Sequence, residues 1–216
     1  MIEHYISFSL SAFVALFAMI NPLATAPIFL GLTGHLQRPL KNRIATQSIV
    51  IGFVLVALFC VLGNLIFTLF GITLPAFRIV GGLLIIMCGF QLLNGQDNSV
   101  AVPSHEDSEE SLNSALSIAL FPLATPVIGG PGAIAVAMSY SADAGIVGVT
   151  CTIASFAVAC FITWLVFRFS TEVVRFIGKG AIKLISRMMG LILAVMGMQM
   201  LIVGIHGAYM LFPNLP

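Results

Sequence analysis

The sequence predicts an all-α membrane protein: six transmembrane helices as two inverted-topology three-helix repeats, with helices 1 and 4 discontinuous. Three observations predict it. Of 216 residues, 59% are hydrophobic and only 8% charged, whereas a soluble domain carries about 25% charged residues. Six apolar stretches approach or exceed the length of about 20 residues that crosses a hydrocarbon core. Two pairs of matching segments recur in the same order in the two halves of the chain, and one pair carries helix-breaking prolines.

The spans follow in order. The first covers residues 6–34 and is interrupted near Asn21–Pro27. Its short flank holds Glu3 and His4 and no Lys or Arg, and no small-residue cleavage site follows, so the span is expected to stay in the protein. The second covers 46–70 and the third 76–93; the fourth covers 113–138, interrupted between Pro122 and Gly132. The fifth covers 146–169 and the sixth 184–206. Open β structure is excluded because unpaired strand edges leave backbone groups unsatisfied in lipid. A β-barrel needs segments of about ten residues with alternating polarity, and these runs are longer and uniformly apolar.

The basic residues set an expected orientation. Arg38, Lys41 and Arg43 fall in the first loop; Arg168, Arg175, Lys179, Lys183 and Arg187 fall between spans five and six. Only Arg78 lies elsewhere, before span three. The positive-inside rule makes the basic side cytoplasmic and places both termini outside. The connection between spans three and four, NGQDNSVAVPSHEDSEESLNS, has no Lys or Arg and several acidic residues. The span count puts it on the cytoplasmic side, and it reads as a solvated linker; a regulatory role is the alternative. The cysteines Cys60, Cys88, Cys151 and Cys160 all sit in apolar stretches without a CxxC motif, so they predict small buried hydrophobes, with no disulfide framework and no metal site.

The tetrapeptide PLAT occurs at Pro22–Thr25 and again at Pro122–Thr125. Alone this is weak. A second match lies in the corresponding place: GLLIIMCGFQLL from Gly82 aligns without gaps to GLILAVMGMQML from Gly190, pairing Gly82 with Gly190, Gly89 with Gly197 and Gln91 with Gln199. Arg78 and Arg187 precede these segments within one residue of register. Two matches in order predict a duplication, giving a first repeat over 1–93, a linker over 94–112 and a second repeat over 113–216. Three spans per repeat is an odd number, so the second repeat enters the membrane from the opposite side, an architecture of secondary transporters.

Proline inside a helix removes a donor and clashes with the preceding turn. Pro22 and Pro27 in span one, and Pro122, Pro126 and Pro131 with Gly129, Gly130 and Gly132 in span four, are expected to unwind the backbone. Freed backbone groups at membrane depth must line protein or a wet cavity. Pro27 and Pro131 are placed as first-turn residues of the outgoing half-helices, where a missing N–H costs nothing. Two half-helix N-termini near the midplane suit a carboxylate. Unwound carbonyls with Asn21, Thr25 and Thr125 are candidates to accept from an ammonium group. The competing reading is two kinked helices that merely pack closely, since Gly and Pro are common in membrane helices; matched breakers in both halves favour a binding site.

Arg78 and Arg187 read as interfacial anchors whose heads snorkel to water; the alternative is a gate pair, one near each face. Gln91, Gln199, Asn64 and Thr163 are expected to hydrogen-bond between helices at about 0.6 kcal/mol each, and Trp164 to pack or anchor. No Asp, Glu, Lys, His or Arg lies near the centre of a span. A buried proton relay is thus not evident, and facilitated export or exchange is the simpler expectation.

NPLATAPIFLGLT in span one, AFRIVGGLL entering span three, PLATPVIGGPGAI in span four and SRMMGLILAVMGMQ in span six resemble the MarC family of bacterial inner-membrane proteins over nearly the whole chain. The resemblance implies two inverted halves with spans one and four broken around a substrate, and small neutral amino acids as that substrate. Carried over residue by residue, Asn21, Pro22, Thr25 and Pro27 match the first motif. Pro122, Thr125, Pro126, Gly129, Gly130, Pro131 and Gly132 match the second.

The expected function is therefore a secondary transporter or exporter of small neutral amino acids in the bacterial inner membrane. The alternatives are an assembly or regulatory membrane protein without transport, or a transporter of other small solutes. The partners expected are the substrate amino acid and the lipid bilayer, with a homo-oligomer open and no nucleic acid, since no basic patch interleaves with aromatics. No cofactor is expected. An intramembrane enzyme needs a convergent nucleophile and base or metal ligands at membrane depth; His4, His35, His105 and His206 lie in loops or near span ends, and neither HExxH nor GxSxG occurs.

Overall fold

In a computed structural model, the described residues are 2–34, 36–95, 128–143 and 145–211. Among them there are seven α-helices and no strand: α1 Ile2–Ile20, α2 Pro22–Thr33, α3 Arg38–Phe70, α4 Leu74–Leu93, α5 Pro131–Asp143, α6 Gly145–Arg168 and α7 Ser170–Leu211. Five segments are long and apolar enough to cross a membrane: Tyr5–Thr33, Arg38–Gly63, Leu74–Leu93, Gly145–Arg168 and Gly180–Leu211. The first half of the expected fourth span and the rest of the linker, residues 96–127, fall outside the described residues.

Each boundary has a local cause. Pro22 has no N–H to continue the ladder of α1, and a residue before proline is disfavoured in the α conformation. Asn21 accordingly leaves the helix at φ 46°, ψ 68°, in the left-handed region that Asn tolerates better than most side chains. The interruption is a single residue, narrower than the expected stretch from Asn21 to Pro27. α3 starts at Arg38 with Pro39 in its first turn and runs 33 residues, about 50 Å at 1.5 Å per residue. It begins before the expected residue 46 because apolarity marks where lipid starts, while the helix continues through its polar first turns. Gly71, at φ 63°, ends it, and the Ile72 N–H turns back to the Phe67 carbonyl at 2.9 Å. The Thr73 hydroxyl then caps α4 by accepting from Ala76 N at 3.3 Å. Within α7 the backbone breaks at Gly178, φ 79° and ψ 150°.

α1 runs antiparallel to α5: Phe8 meets Tyr140 edge-on at one end, and Met19 meets Gly132 at the other. α6 returns beside α1, where the Ser155 hydroxyl donates to the Ser9 carbonyl at 2.9 Å. α2 continues to the far side, stacking Phe29 on Phe167 of α6 at 4.5 Å with interplanar angle 5°. Lys41 of α3 lies over the same Phe29 ring. Trp164 joins α6 to α3 by donating to the Thr46 hydroxyl at 3.0 Å. Thr163, expected to bond between helices, donates instead to Ala159 of its own helix at 2.7 Å. A buried hydroxyl one turn from its own i−4 carbonyl needs no partner on another helix. The core comprises Leu16, Ile20, Phe29, Ile44, Phe156 and Leu193 with their neighbours. Val80, Met87, Leu191, Val195 and Ile202 point outward, as lipid-facing positions do in a bilayer.

α4 and α7 pack antiparallel at backbone distance. Gly82 faces Gly197, Gly89 faces Gly190, and Gly204 faces Pro75. Pro75, Gly82 and Gly89 recur every seventh residue, and so do Gly190, Gly197 and Gly204. A seven-residue repeat keeps one seam facing its partner, and small residues there let two membrane helices approach closely.

Candidate functional site

Two backbone breaks meet in the interior. The first is Asn21. Its side-chain Oδ1 accepts from Ala24 N at 3.4 Å, a long N-cap bond. The first ladder bond of α2 runs from Thr25 N to the Asn21 carbonyl at 3.0 Å. The Thr25 hydroxyl donates to the Asn21 and Pro22 carbonyls, each at 3.2 Å, so its one proton is held by local backbone and only its lone pairs remain. Pro22, not Pro27, is the first residue of α2; Pro27 lies inside the helix. The placement of Pro27 in the first turn is thereby corrected. The tighter break comes from Pro22 acting on the residue before it, and Pro27 only deletes a bond to Leu23 further along.

The second break is the non-helical Gly129-Gly130 ahead of Pro131, described from Ile128 onward. Ile128, Gly129 and Gly130 are buried, and α5 begins at Pro131, with Ile134 N bonded to the Gly130 carbonyl at 3.0 Å. Neither glycine takes a positive φ, and among the described residues Asn21 is the one non-glycine residue that does. The two breaks are therefore built differently: one by a polar side chain in a left-handed turn, the other by bare backbone ahead of a proline. They adjoin. A methyl on Gly132 would overlap the Met19 side chain, whose sulfur would lie 3.0 Å away. Met19 is two residues before Asn21, and Gly132 is one residue after Pro131.

Both half-helices leave this point in opposite directions with their N-termini toward it. The first N–H groups of a helix have no intrahelical partner; here these are Leu23 in α2, and Gly132 and Ala133 in α5. Each terminus carries about half a positive charge. Asn21 adds a further donor. Only 4% exposed, it has no hydrogen-bond partner for Nδ2, and leaving a buried donor unsatisfied costs about 1–3 kcal/mol. The amide is held in this orientation, because a flip would turn its NH2 onto the Ala24 N–H. Asn21 thus offers a donor, where the expectation was an acceptor for ammonium.

Of the expected site residues, Asn21, Pro22, Thr25, Gly129, Gly130, Pro131 and Gly132 gather around the two breaks. Pro122, Thr125 and Pro126 lie outside the described residues. Arg78 and Arg187 sit at opposite ends of α4. Arg78 is half-buried and donates through Nε to the Ser139 hydroxyl of α5 at 3.1 Å. Arg187 is exposed beside Gly95, close to Lys183, at the C-terminal end of α4, where cations are favoured. Met19 and Ser139 were missed: a methionine and a serine in an apolar run carry no signal until the helices are packed. An apolar cleft of about 370 Å³ adjoins the second break, lined among others by Leu55, Phe77, Gly81, Pro131 and Ala135. With almost no polar surface it is unsuited to a zwitterion. Among the described residues no three His, Cys, Asp or Glu side chains gather as a metal site.

Residues 6–209 match the family described as MarC family integral membrane protein. The chain is 37% identical over 204 residues to the UPF0056 membrane protein YvbG of Bacillus subtilis, covering 94% of this chain and 96% of that one. It is 35% identical over 204 residues to the UPF0056 inner membrane protein MarC of Escherichia coli, covering 89% and 91%. A UPF0056 membrane protein of Pyrococcus horikoshii is 33% identical over 197 residues. No solved structure matches the chain.

Proposed function

Given that this chain belongs to the MarC family of integral membrane proteins, we propose that it is a secondary transporter or exporter of small neutral amino acids, and not an enzyme. One observation carries the reading: the breaks at Asn21 and at Gly129-Gly130-Pro131 adjoin through Met19 and Gly132 and turn two helix N-termini toward one point. Discontinuous helices of this kind hold anionic groups in membrane transporters. A scaffold gains nothing from unwinding two helices at a shared position. Little space is left around Gly132, which favours small substrates.

The α4–α7 contact supports an inverted repeat. The sequence match equates Gly82 with Gly190 and Gly89 with Gly197. Exchanging equivalents turns the Gly82–Gly197 contact into the Gly190–Gly89 contact, and both are present. A two-fold axis through the α4–α7 seam would produce this pairing. On this reading the protein sits in the bacterial inner membrane with its basic loops cytoplasmic and its termini outside, the side assignment resting on the distribution of Lys and Arg. Purified protein in liposomes preloaded with alanine should accumulate labelled alanine by counterflow. Gly130→Leu should abolish that flux without loss of folded protein; unchanged flux would show that the substrate is bound elsewhere.

A further inference from the structure

Resting on the transport reading, we propose that Asn21 is the specificity-determining donor for the substrate: its Nδ2 hydrogen-bonds the carboxylate of the bound amino acid and fixes which end of the zwitterion faces the helix breaks. Three observations converge. Nδ2 is buried and has no partner, while Oδ1 is engaged by the Ala24 N–H, so the free half of the amide is a donor and cannot exchange roles with the acceptor. Asn21 is the cap of α2 and so stands at the positive end of that helix. The contact between Met19 and Gly132 brings the positive end of α5 to the same place. A cation is disfavoured there by both termini, and the Asn21 side chain could offer it only the second lone pair of Oδ1, whose first is engaged by the Ala24 N–H. An anion is favoured by all three. The left-handed backbone of Asn21 is then more than a joint: it holds the cap bond and the free donor on one residue, at the only described non-glycine position with positive φ.

The substrate class sharpens accordingly. A free carboxylate is required, so alanine should bind far more tightly than alaninamide, which keeps the ammonium and the methyl but has no negative charge.

The test uses the full-length protein in detergent and compares alanine with alaninamide by calorimetry at neutral pH, alongside thermal unfolding. Asn21→Asp keeps an N-cap oxygen and tolerates the left-handed turn, and it puts a carboxyl oxygen where the amide NH2 donor stood. Alanine affinity should fall at least about tenfold, the scale of a hydrogen bond to a charged group, and alaninamide affinity should not fall. Asn21→Gly keeps the turn and removes both amide atoms; it should lose alanine affinity to a similar degree with no gain for alaninamide, and it decides the matter if the aspartate variant does not fold. Alanine binding within twofold of wild type in either folded variant makes Asn21 a structural cap only. Tighter alanine binding in Asn21→Asp means the residue faces the ammonium. Either result overturns the proposal and leaves the transport reading standing. A wild-type protein that binds no amino acid across a full panel overturns the transport reading itself.

Discussion

Gly82 and Gly197 meet backbone to backbone: a methyl on Gly82 would lie 2.7 Å from the Gly197 carbonyl oxygen, and a methyl on Gly197 would lie 2.7 Å from the Gly82 carbonyl oxygen. Neither obstacle is a side-chain end that can swing away. The two helices must separate to admit a Cβ, which disturbs every rung of the seam.

Gly82→Ala and Gly197→Ala should therefore each destabilise the protein by about 1–3 kcal/mol, the usual cost of overpacking. The double variant should cost clearly less than the two together, because one separation accommodates both methyls. Gly31→Ala is the control: a Cβ there meets nothing within 4 Å, and alanine is the better helix former by about 1 kcal/mol. Thermal unfolding of the four variants in one detergent checks the ranking.

Gly178 and Gly180 separate backbone strain from crowding. Neither would meet an atom within 4 Å if it carried a Cβ, but Gly178 sits at φ 79°, ψ 150° and Gly180 does not take positive φ. That conformation is essentially restricted to glycine and costs other residues about 1–3 kcal/mol. Gly178→Ala should lower the unfolding temperature, and Gly180→Ala should leave it unchanged or raise it. Equal effects would place the break in α7 elsewhere.

Arg78 ties α4 to α5 through Ser139, about two helical turns along α5 from the second break. Removing either partner should weaken the same link. Ser139→Ala and Arg78→Ala should be non-additive in alanine flux and in stability, with a coupling of about 1.5–3 kcal/mol for a hydrogen bond to a charged group. Arg78→Lys should recover little of it, since a flexible ammonium lacks the fixed guanidinium geometry. Additive effects in a double-mutant cycle would leave Arg78 as an interfacial anchor only.

What was legible in the sequence was what hydrophobicity and proline chemistry encode without tertiary context. α4 over Leu74–Leu93 and α6 over Gly145–Arg168 fall within two residues of the spans read from apolar runs, because lipid thickness sets length directly. The start of α5 at Pro131 follows from proline at a helix N-terminus. Pro27 misled, since two prolines five residues apart look equivalent in sequence, and only the conformation of Asn21 shows that the first one makes the break. The direction of the Asn21 amide was also illegible: an asparagine carries donor and acceptor, and the choice is made by the Ala24 N–H. Thr163 misled for a related reason. A hydroxyl in an apolar helix has its own carbonyl ladder within reach, so polarity alone does not imply a neighbour.

The side of the membrane on which each end lies is checked by cysteine labelling, and the packing says where to place the probes. Arg43 and Arg175 are exposed at the end of the molecule where Lys41 of α3 bonds the Thr171 hydroxyl of α7 at 3.2 Å. Ile72, after α3, and Ile146, at the start of α6, are exposed at the other ends of those helices. The orientation proposed from the charge distribution puts the first pair in the cytoplasm. In a background with Cys60, Cys88, Cys151 and Cys160 replaced by alanine, an impermeant maleimide added to intact cells should label Ile72→Cys and Ile146→Cys. It should spare Arg43→Cys and Arg175→Cys until the cells are opened. The alanine background must itself unfold near the wild-type temperature, since Cys60 and Cys160 are buried and each loses a sulfur's worth of packing. The reverse labelling pattern would invert the protein and with it the assignment of the acidic linker to the cytoplasm. It would not touch the meeting of the two breaks, which depends on α1 and α5 packing antiparallel and not on which side they start from.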